Sequence, residues 1–456
     1  MRRIRTLTAA GLVCLTLGVA AEPVTLTPDQ MRVLAVRALQ VGDHKTTLDV
    51  TEALLKRDPA DVDALVLRSR AARDSGDLKA ARQAARQAWR EADTDTEKYA
   101  AALVRAQALA TGGTRTLAQM WLRQAAQVAP NEAMKNTAVR DFRYVQARNR
   151  FQTQLSFSVS PVSNLNNGSV KDEGLYDFPF FGTVKAELGG AAKALSGVET
   201  AHGVTTRFRF LDQPKHKSDI YLSYNNRSYV LSDEAKKTAP NAKASDFEFT
   251  SLSVTLAHMG KLDGAPGPFR ASIGWNKTWY GGEPYTRGLS ASLRQDVMIS
   301  KETGLYVGVA YSGQDALSRT GDSEALEYTA GMRHRFGASG HSFSLDLSHE
   351  KSKSDFSSMD YLSYGIAAGL TLGKPVLGLN WDFGLSMSTK HHDGSMVRNL
   401  DRMEKSYSAK IRAEITPLEY YGFVPTVTLD GSKVESNMGQ YDRENFGVKL
   451  GLESSF

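Results

Sequence analysis

The chain has 456 residues, more than one hydrophobic core usually supports, so its length predicts two domains. Its net charge is only +6 and no basic tract stands out, which argues against a nucleic-acid partner. A mean hydropathy of −0.35 excludes a helical membrane protein. It does not exclude a membrane β-barrel, because lipid-facing and lumen-facing residues alternate along barrel strands.

The first 21 residues have the composition of a cleaved export signal. Three arginines within the first five positions precede an apolar stretch over residues 7–19, and small residues lead to a cleavage site between Ala21 and Glu22. The apolar stretch is too short to span a membrane as a helix. The alternative interpretation is a mobile, soluble N-terminus.

The single cysteine, Cys14, lies within this signal. The residue before it is Val13, whereas a lipoprotein signal requires a small residue there, so we expect ordinary cleavage and no lipid anchor. The mature chain then contains no cysteine, and therefore neither disulfides nor thiol chemistry.

Residues 22–150 are rich in alanine, leucine and arginine, with apolar residues at helical spacing. The pair Gly42-Asp43 recurs 34 positions later as Gly76-Asp77, and more loosely as Gly112-Gly113. This period resembles the tetratricopeptide repeat, a helix–turn–helix unit of 34 residues. We predict three degenerate repeats, followed by one further helix over residues 131–150. A generic helical bundle is the alternative.

A stacked repeat array presents a concave groove that usually binds an extended peptide or another protein. Arg37, Arg68, Arg70 and Arg105 fall on the predicted first helices and are candidates to line such a groove. Arginines at these positions are also common on solvated helix faces.

Residues 151–456 change from helical to strand periodicity. Leu155, Phe157 and Val159 alternate with polar residues, and glycine, serine, tyrosine and phenylalanine dominate from there on. The pattern predicts fourteen strands, an even number as in single-chain bacterial outer-membrane barrels. Their predicted ranges are 152–161, 196–211, 218–231, 246–260, 268–279, 285–300, 303–314, 322–336, 341–351, 359–373, 376–391, 403–416, 422–434 and 441–456. Residues 196–211 also suit a hairpin, but their constant parity favours one strand.

The connections between these strands support a barrel independently. Tight turns are predicted at 301–302, 337–340 and 373–375, and longer polar loops at 232–245 and 392–402. Short turns at one end and long loops at the other are typical of outer-membrane barrels. A soluble β-sandwich or lectin-like domain is the alternative.

Aromatic residues at predicted strand ends suit interfacial girdles: Trp275, Trp279, Tyr280, Tyr420, Tyr421 and Phe423.

The last predicted strand carries apolar residues on one face up to the final position. That face consists of Phe446, Val448, Leu450, Leu452, Ser454 and Phe456. A terminal phenylalanine after alternating apolar residues resembles the signal recognised by the outer-membrane barrel assembly machinery. Ser454 departs from the pattern.

Residues 141–149 (DFRYVQARN) lead into residues 155–169 (LSFSVSPVSNLNNGS). This junction resembles the entry to the barrel in the surface lipoprotein assembly modulator (Slam) family, whose members join tetratricopeptide repeats to a fourteen-strand barrel. The resemblance implies an outer-membrane protein that helps particular lipoproteins, or in some branches soluble haemophores, reach the cell surface. It is strong over about thirty residues only, and the helical part is short.

A fourteen-strand barrel has a lumen too wide for side chains alone to fill, so a channel, a plug or a lateral exit is expected. The segment 164–195 follows the first strand and is predicted to enter or cap the lumen. Within it, Asn164, Asn166, Asn167 and Gly168 form a candidate lumen or plug motif stabilised by turn hydrogen bonds. An ordinary extracellular loop is the alternative.

No phosphate loop, zinc spacing or nucleophile elbow is present in the sequence, so we expect no cofactor, no metal and no enzyme activity. His391 and His392 are adjacent on a predicted strand and should point to opposite faces. Histidines and serines elsewhere in the barrel show no catalytic spacing.

The sequence therefore predicts a protein translocon in the bacterial outer membrane. We expect a monomeric barrel in outer-membrane lipid, with its N-terminal domain in the periplasm engaging a cargo lipoprotein, a secreted protein or a chaperone. The alternatives are an exopolysaccharide exporter and a general porin. Exporters of polysaccharide usually have long repeat arrays and a strongly charged lumen, and the sequence indicates neither.

Overall fold

The computed structural model describes residues 25–178, 180–318, 321–395, 397 and 400–454. The predicted export signal, its cleavage site at Ala21 and Glu22, and the terminal Phe456 lie outside the described residues. The chain divides into two units, the first ending at Gly112 and the second beginning at Gly113. The change from helix to strand comes later in the chain, since the first strand begins at Phe151.

The first unit contains helices α1 (Pro28–Gln40), α2 (His44–Arg57), α3 (Val62–Asp74), α4 (Leu78–Glu91) and α5 (Asp95–Thr111). Polar side chains cap the N-termini of these helices. Asp43 before α2 and Asp77 before α4 each accept a hydrogen bond from the backbone N–H three residues further along the chain. The turns between α1 and α2 and between α3 and α4 pass through Gly42 and Gly76, whose φ angles are +79° and +93°. Glycine adopts this left-handed conformation without strain, which explains the 34-residue repetition of Gly-Asp.

Small residues let these helices pack closely. Each helix contacts the next, and α1 also contacts α3, as α3 contacts α5. Ala81 and Ala88 of α4 are fully buried, and Val62, Leu65 and Val104 belong to the same core as Ala88. The contact pattern is that of stacked helix pairs.

The second unit begins with two more helices, α6 (Arg115–Gln127) and α7 (Glu132–Arg148), which pack against each other. Ala118 and Ala125 of α6 are fully buried, as is Ala138 of α7. The helix predicted after the repeats is therefore confirmed.

Fourteen antiparallel strands close into a barrel, and all fourteen were predicted from the sequence. They are β1 (Phe151–Val162), β4 (Gly197–Asp212), β5 (His216–Leu231), β6 (Phe249–Gly260), β7 (Phe269–Tyr280), β8 (Glu283–Met298), β9 (Thr303–Ala316), β10 (Ser323–Arg335), β11 (Ser342–Ser354), β12 (Tyr361–Thr371), β13 (Leu379–His392), β14 (Arg402–Ile415), β15 (Phe423–Ser436) and β16 (Arg443–Ser454). Each strand pairs with its neighbours in the chain, and β1 closes the barrel by pairing with both β4 and β16. Residues 197–212 form one strand, as their parity predicted.

We call the end of the barrel at which β1 begins the proximal end, and the opposite end the distal end. The predicted tight turns at 301–302, 337–340 and 373–375 all lie at the proximal end. The longer loops at 232–248 and 393–401 lie at the distal end, although the two-residue turn at Gly281-Gly282 lies there too. The two longest connections, 163–196 and 232–248, lie at the distal end, as predicted, but the difference is not uniform, because the proximal connection 261–268 has more residues than the distal connections 355–360 and 437–442.

The distal end also contains three elements that the sequence did not reveal. The segment between β1 and β4 contains a hairpin of β2 (Glu173–Phe178) and β3 (Gly182–Glu187), and the loop after β5 contains the short helix α8 (Asp233–Thr238). No helix within the described ranges is both long and apolar enough to cross a membrane.

Candidate functional site: the barrel interior and its two ends

Side chains along the barrel strands alternate between an apolar outer face and a polar inner face. On the outside, Leu155, Ile273 and Leu385 are exposed to 62, 63 and 65 % of their surface. On the inside lies a cavity of about 720 Å³. Its polar and charged lining includes Ser158, Glu199, Arg227, Lys410, Asp430 and Lys449.

One wall of the proximal interior, formed by β7–β10, is basic. Arg294 lies with its guanidinium carbon 3.5 Å from the ring centre of Tyr306, and Arg333 lies 5.8 Å from the same ring. Asp296 pairs with Arg294 at 2.9 Å and with Arg270 at 2.8 Å. Three arginines thus converge on one aromatic ring and its neighbouring carboxylate.

The wall formed by β13–β16 carries the opposite balance of charge. Arg412 is its central cation and pairs with Asp382 and with Glu414, both at 2.7 Å, and also with Glu453. One guanidinium is therefore surrounded by three carboxylates. In the strand order this wall lies about half the circumference away from the basic wall.

This charge distribution corrects one expectation from the sequence. The expectation of a weakly charged lumen is wrong, because ion pairs line both proximal walls. The sequence concealed them because inward charges alternate with outward apolar residues and are spread over many strands. Only the strand register brings Arg412 and Glu453 together.

At the distal end, the asparagines of the candidate motif organise the base of the segment between β1 and β4. Asn164 is buried, accepts a hydrogen bond from the Gly168 N–H at 2.9 Å, and donates to the Glu444 carbonyl at 3.2 Å. Asn166 donates to the Lys193 carbonyl at 2.9 Å. Asn167 has a positive φ of +52° and turns the chain. The predicted turn hydrogen bonds are therefore present.

This base is held at the distal rim by loops on both sides. Ser169 donates to the Gly439 carbonyl at 2.8 Å, in the loop between β15 and β16. Leu165 and Leu195 share an apolar cluster with Ala235 of α8 and Phe247. These contacts attach the segment to the rim.

The β2–β3 hairpin projects from that base and exposes aromatic side chains. Phe180 and Phe181 at its tip are 93 % and 84 % exposed. Outside the hairpin, β2 contacts the short 3-10 turn Gly439–Tyr441. Gln440 makes two of them, because its side chain bonds both the N–H and the carbonyl of Leu175.

The residues predicted as an assembly signal lie on β16, where the apolar ones face outward. Phe446, Leu450 and Leu452 are exposed, whereas Val448 is half-buried. The structure thus places these four side chains on the outer face; Phe456 lies outside the described residues, and its role stays a prediction.

Helices α6 and α7 are fixed to the proximal rim of the barrel by the half-buried Arg123. The Arg123 guanidinium donates to the carbonyl oxygens of Tyr421 at 2.9 Å and Gly422 at 2.8 Å. It also lies 4.7 Å from the ring centres of both Phe142 and Phe423. Burial lowers the pKa of Arg123. Lys135 of α7 adds an ion pair with Glu419 at 2.8 Å.

The adjacent histidines of β13 point to different environments. His391 is exposed and lies 3.6 Å from Asp401, whereas His392 is buried and contacts the Arg402 guanidinium. They therefore do not converge on one point, which agrees with their expected opposite orientation.

In the first unit, two of the candidate groove arginines lie on helices that pack together. Arg70 of α3 and Arg105 of α5 are half-buried, and burial lowers the pKa of each, with a smaller effect from Arg73 on Arg70 and from Arg86 on Arg105. The Nε of Arg70 is buried without a hydrogen-bond partner among the described residues. Arg68 is half-buried and Arg37 is exposed.

No model of a protein family matches the sequence, and no curated protein matches it. Solved structures with a similar fold include a bacterial polysaccharide outer membrane secretin. The match covers 67 % of this chain and 98 % of the secretin chain, with 10 % sequence identity and a TM-score of 0.33. An anion-selective porin from Comamonas acidovorans shows 12 % identity over 67 % of this chain and 100 % of its own, with a TM-score of 0.33. The type III secretion translocator chaperone SycD from Yersinia enterocolitica covers 27 % of this chain and 88 % of its own, with 16 % identity and a TM-score of 0.24. Likeness at this level carries no argument about function.

Proposed function

We propose that this protein is a bacterial outer-membrane translocon that helps specific proteins, lipoproteins above all, reach the cell surface. The barrel supports the membrane part of the proposal. Its outer face exposes large apolar residues on strand after strand, far more than a soluble monomer leaves in water. A closed barrel also satisfies its backbone hydrogen bonds internally, as lipid requires.

The proposed orientation follows from the two ends. The proximal end, with the short turns and helices α6 and α7, faces the periplasm. The distal end, with the β2–β3 hairpin and α8, faces outward. In this proposal the β-barrel assembly machinery inserts the chain as a monomeric barrel without enzyme activity.

The observation that carries the export proposal is the fusion of stacked helix pairs to a barrel with a polar interior. We propose that α1–α6 form three degenerate tetratricopeptide repeats, since the 34-residue spacing of Gly42 and Gly76 coincides with the turns of two helix pairs. Such arrays bind proteins in their groove. Arg70 and Arg105 give this groove a basic character that suits an acidic segment of a cargo or chaperone.

A second candidate function is the passage of a polar solute or polysaccharide through the lumen. The charged proximal walls around Arg294 and Arg412 favour it, because opposed charges in a pore select polar permeants. In that case helices α1–α7 would serve as a tether, and no protein would change its location.

The experiment compares cells that carry the full chain, the barrel unit alone from Gly113, or neither. Because the barrel closes its own hydrogen bonds, the truncated chain should still insert. Membrane fractionation and heat-modifiable migration on gels check insertion. Surface labelling followed by mass spectrometry then shows which proteins, including lipoproteins encoded nearby, reach the surface.

Under the export proposal, the full chain increases surface labelling of particular proteins at least tenfold, and the truncated chain loses most of that gain. A matched control replaces the exposed Arg37 by glutamine and retains export, whereas Arg70→Gln and Arg105→Gln reduce it. Identical surface proteomes in all strains, with solute uptake that depends on the barrel alone, would establish the pore instead. Recovery of the full chain in the soluble periplasm would contradict both.

A further inference from the structure

A small recess lies in the inner face of the barrel at the proximal end, and Tyr306 forms its base. Strand register places Tyr306 of β9 between Asp296 of β8 and Gly331 of β10. Gly331 in turn pairs with Asp346 of β11, which accepts a hydrogen bond from the Tyr306 hydroxyl. The tyrosine ring therefore crosses β10 over Gly331, where an added Cβ would lie 2.4 Å from a ring carbon. Glycine at this position allows the ring to lie along the wall.

Two contacts fix the orientation of the Arg294 guanidinium in this recess. One face of it stacks on Tyr306, with the guanidinium carbon 3.5 Å from the ring centre. Its Nε donates a hydrogen bond to the buried Asp296 at 2.9 Å. Within the described residues, no hydrogen bond involves its two Nη nitrogens. A guanidinium held in this way presents its Nη edge as a fixed fork of donors, which matches the two oxygens of a carboxylate or phosphate.

Further arginines surround this fork, and they outnumber the carboxylates that could neutralise them. Arg270 lies opposite Arg294 in the register of β7 and β8, and its Nη1 is 2.8 Å from the second oxygen of Asp296. One carboxylate is thus shared by two arginines. Arg333 approaches the Tyr306 ring to 5.8 Å, and in the part of the chain that the structure describes neither Arg333 nor Arg335 has an ion pair. The recess therefore has an excess of positive charge.

The volume of the recess limits the size of what it can hold. It forms a cavity of about 310 Å³, at the lower end of the range of about 300–1,000 Å³ that small-molecule sites occupy. Its charged lining consists of four arginines and two carboxylates: Arg270, Arg294, Arg333, Arg335, Asp296 and Glu302. The cavity accommodates a solute about as large as a sugar phosphate, and its charge complements an anion.

We propose that this recess binds one small soluble oxyanion, a molecule that carries a phosphate or carboxylate group. The Nη edge of Arg294 bonds two oxygens of the anion, and Arg333 supplies the second positive charge. Tyr306 and Asp296 do not contact the anion; they position Arg294. The site does not depend on whether the barrel exports proteins or passes solutes, because it is formed by the barrel wall alone.

The test measures binding of two probes to the purified full chain in detergent. Equilibrium dialysis with radiolabelled inorganic phosphate, and separately with radiolabelled glucuronate, is carried out at constant ionic strength. At least one probe should bind saturably with one molecule per chain. Unlabelled glucose 6-phosphate or glucuronate should displace it, whereas glucose, which has the same ring without the anionic group, should not. The stronger competitor identifies the oxyanion that the site prefers.

Substitutions then show whether the recess is the site. Arg294→Lys keeps the positive charge but removes the fork and its stacking, and it should weaken binding at least tenfold. Arg333→Gln should weaken it severalfold. The matched control is Lys390→Gln, which removes a positive charge from β13 at the distal end and should change the affinity less than twofold. Gly331→Ala retains all four arginines but displaces the Tyr306 ring, and it should weaken binding as Arg294→Lys does.

Heat-modifiable migration checks that each variant still forms a barrel, and Arg294→Lys carries the test if Gly331→Ala does not fold. Absence of saturable binding of both probes to the natural chain would overturn the proposal. Equal affinities of Arg294→Lys, Arg333→Gln and the Lys390→Gln control would also overturn it, since binding would then reflect only the general charge of the lumen. Unchanged surface proteomes would refute export and leave this site standing, because the binding measurements need no cargo.

Discussion

The side chain of Asn164 closes a ring of two hydrogen bonds with the backbone of Gly168. Its Oδ1 accepts from the Gly168 N–H and its Nδ2 donates to the Gly168 carbonyl, both at 2.9 Å. Because the same Nδ2 donates to the Glu444 carbonyl, the ring also ties the chain after β1 to the first residues of β16.

This ring predicts a strict requirement for glycine at position 168. A Cβ added there would lie 2.2 Å from the Lys193 carbonyl oxygen, so Gly168→Ala must displace the base of the distal segment. Asn164→Ala leaves buried backbone groups unpaired, at a cost of about 1–3 kcal/mol. Both variants should speed proteolysis of residues 164–195 without altering heat-modifiable migration. Gly189→Ala is the control, because an added Cβ has nothing within 4 Å; equal proteolysis rates in all variants would contradict the assigned role.

Removal of Phe456 should prevent assembly of the barrel. The motivation is the outward apolar face of Phe446, Leu450 and Leu452 on β16, which the terminal phenylalanine continues in the sequence. We expect the deletion variant to be degraded in the periplasm, while Phe456→Tyr still assembles. Outer-membrane levels measured by fractionation and immunoblotting check this, and normal levels of the deletion variant would remove the assembly role.

The opposed charges of the proximal interior predict the ion selectivity of the pore. Replacing Arg270, Arg294 and Arg333 by glutamine should shift the reversal potential of the barrel in planar bilayers towards cation selectivity. Neutralising Asp382 and Glu414 should shift it the opposite way, since the two sets line different walls. If both sets moved the reversal potential in one direction, or neither moved it, the permeation path would not pass between these walls.

Loss of the Arg123 guanidinium should detach α6 from the barrel rim. Arg123→Met keeps the length of the side chain but removes its hydrogen bonds to Tyr421, Gly422 and Ser454; hydrogen bonds to a charged group are worth about 1.5–3 kcal/mol each. Hydrogen exchange of α6 amides should accelerate by at least tenfold. Arg140→Met, at an exposed position of α7, should leave the exchange rates unchanged.

Acid should loosen the start of α5 through Glu97. This carboxylate accepts hydrogen bonds from the N–H groups of Asp93 at 3.1 Å and Thr94 at 3.0 Å, and the Thr94 N–H chiefly lowers its pKa. A lowered folded-state pKa stabilises the helix above the unfolded pKa, and the contribution is lost as pH falls through the folded value. Hydrogen exchange at α5 should therefore rise with acidification in the natural chain and depend less on pH in Glu97→Gln.

The sequence predicted the strands of the barrel better than the contacts between side chains of different strands. Strand periodicity located all fourteen strands because each has one face in contact with an apolar environment, and parity resolved residues 197–212 as one strand. Contacts between distant strands left no comparable signal. The pairing of Arg412 with Glu453 depends on register across β14, β15 and β16, and the hydrogen bond from Arg123 to the Tyr421 carbonyl depends on how α6 meets the rim.

The hairpin went unrecognised for a different reason. Residues 173–187 show weak alternation, and among the described residues β2 and β3 pair only with each other, so no buried face imposes a pattern. The positions of Asn164 and Asn166 were informative because turn-forming side chains act locally.

A protease can cleave the chain at the exposed tip of that hairpin while the barrel stays assembled. In the proposed orientation, chymotrypsin added to intact cells would cut after Phe180 or Phe181, whose side chains are almost entirely exposed. One fragment would then hold α1–α7, β1 and β2, and the other would hold β3 to β16. Twelve register pairs between β1 and β4 would keep the nicked fragments together until heat or detergent separated them. Cleavage of the chain into two fragments in intact cells would therefore report two things at once. It would show that the barrel is inserted, and it would show on which side of the membrane the hairpin lies.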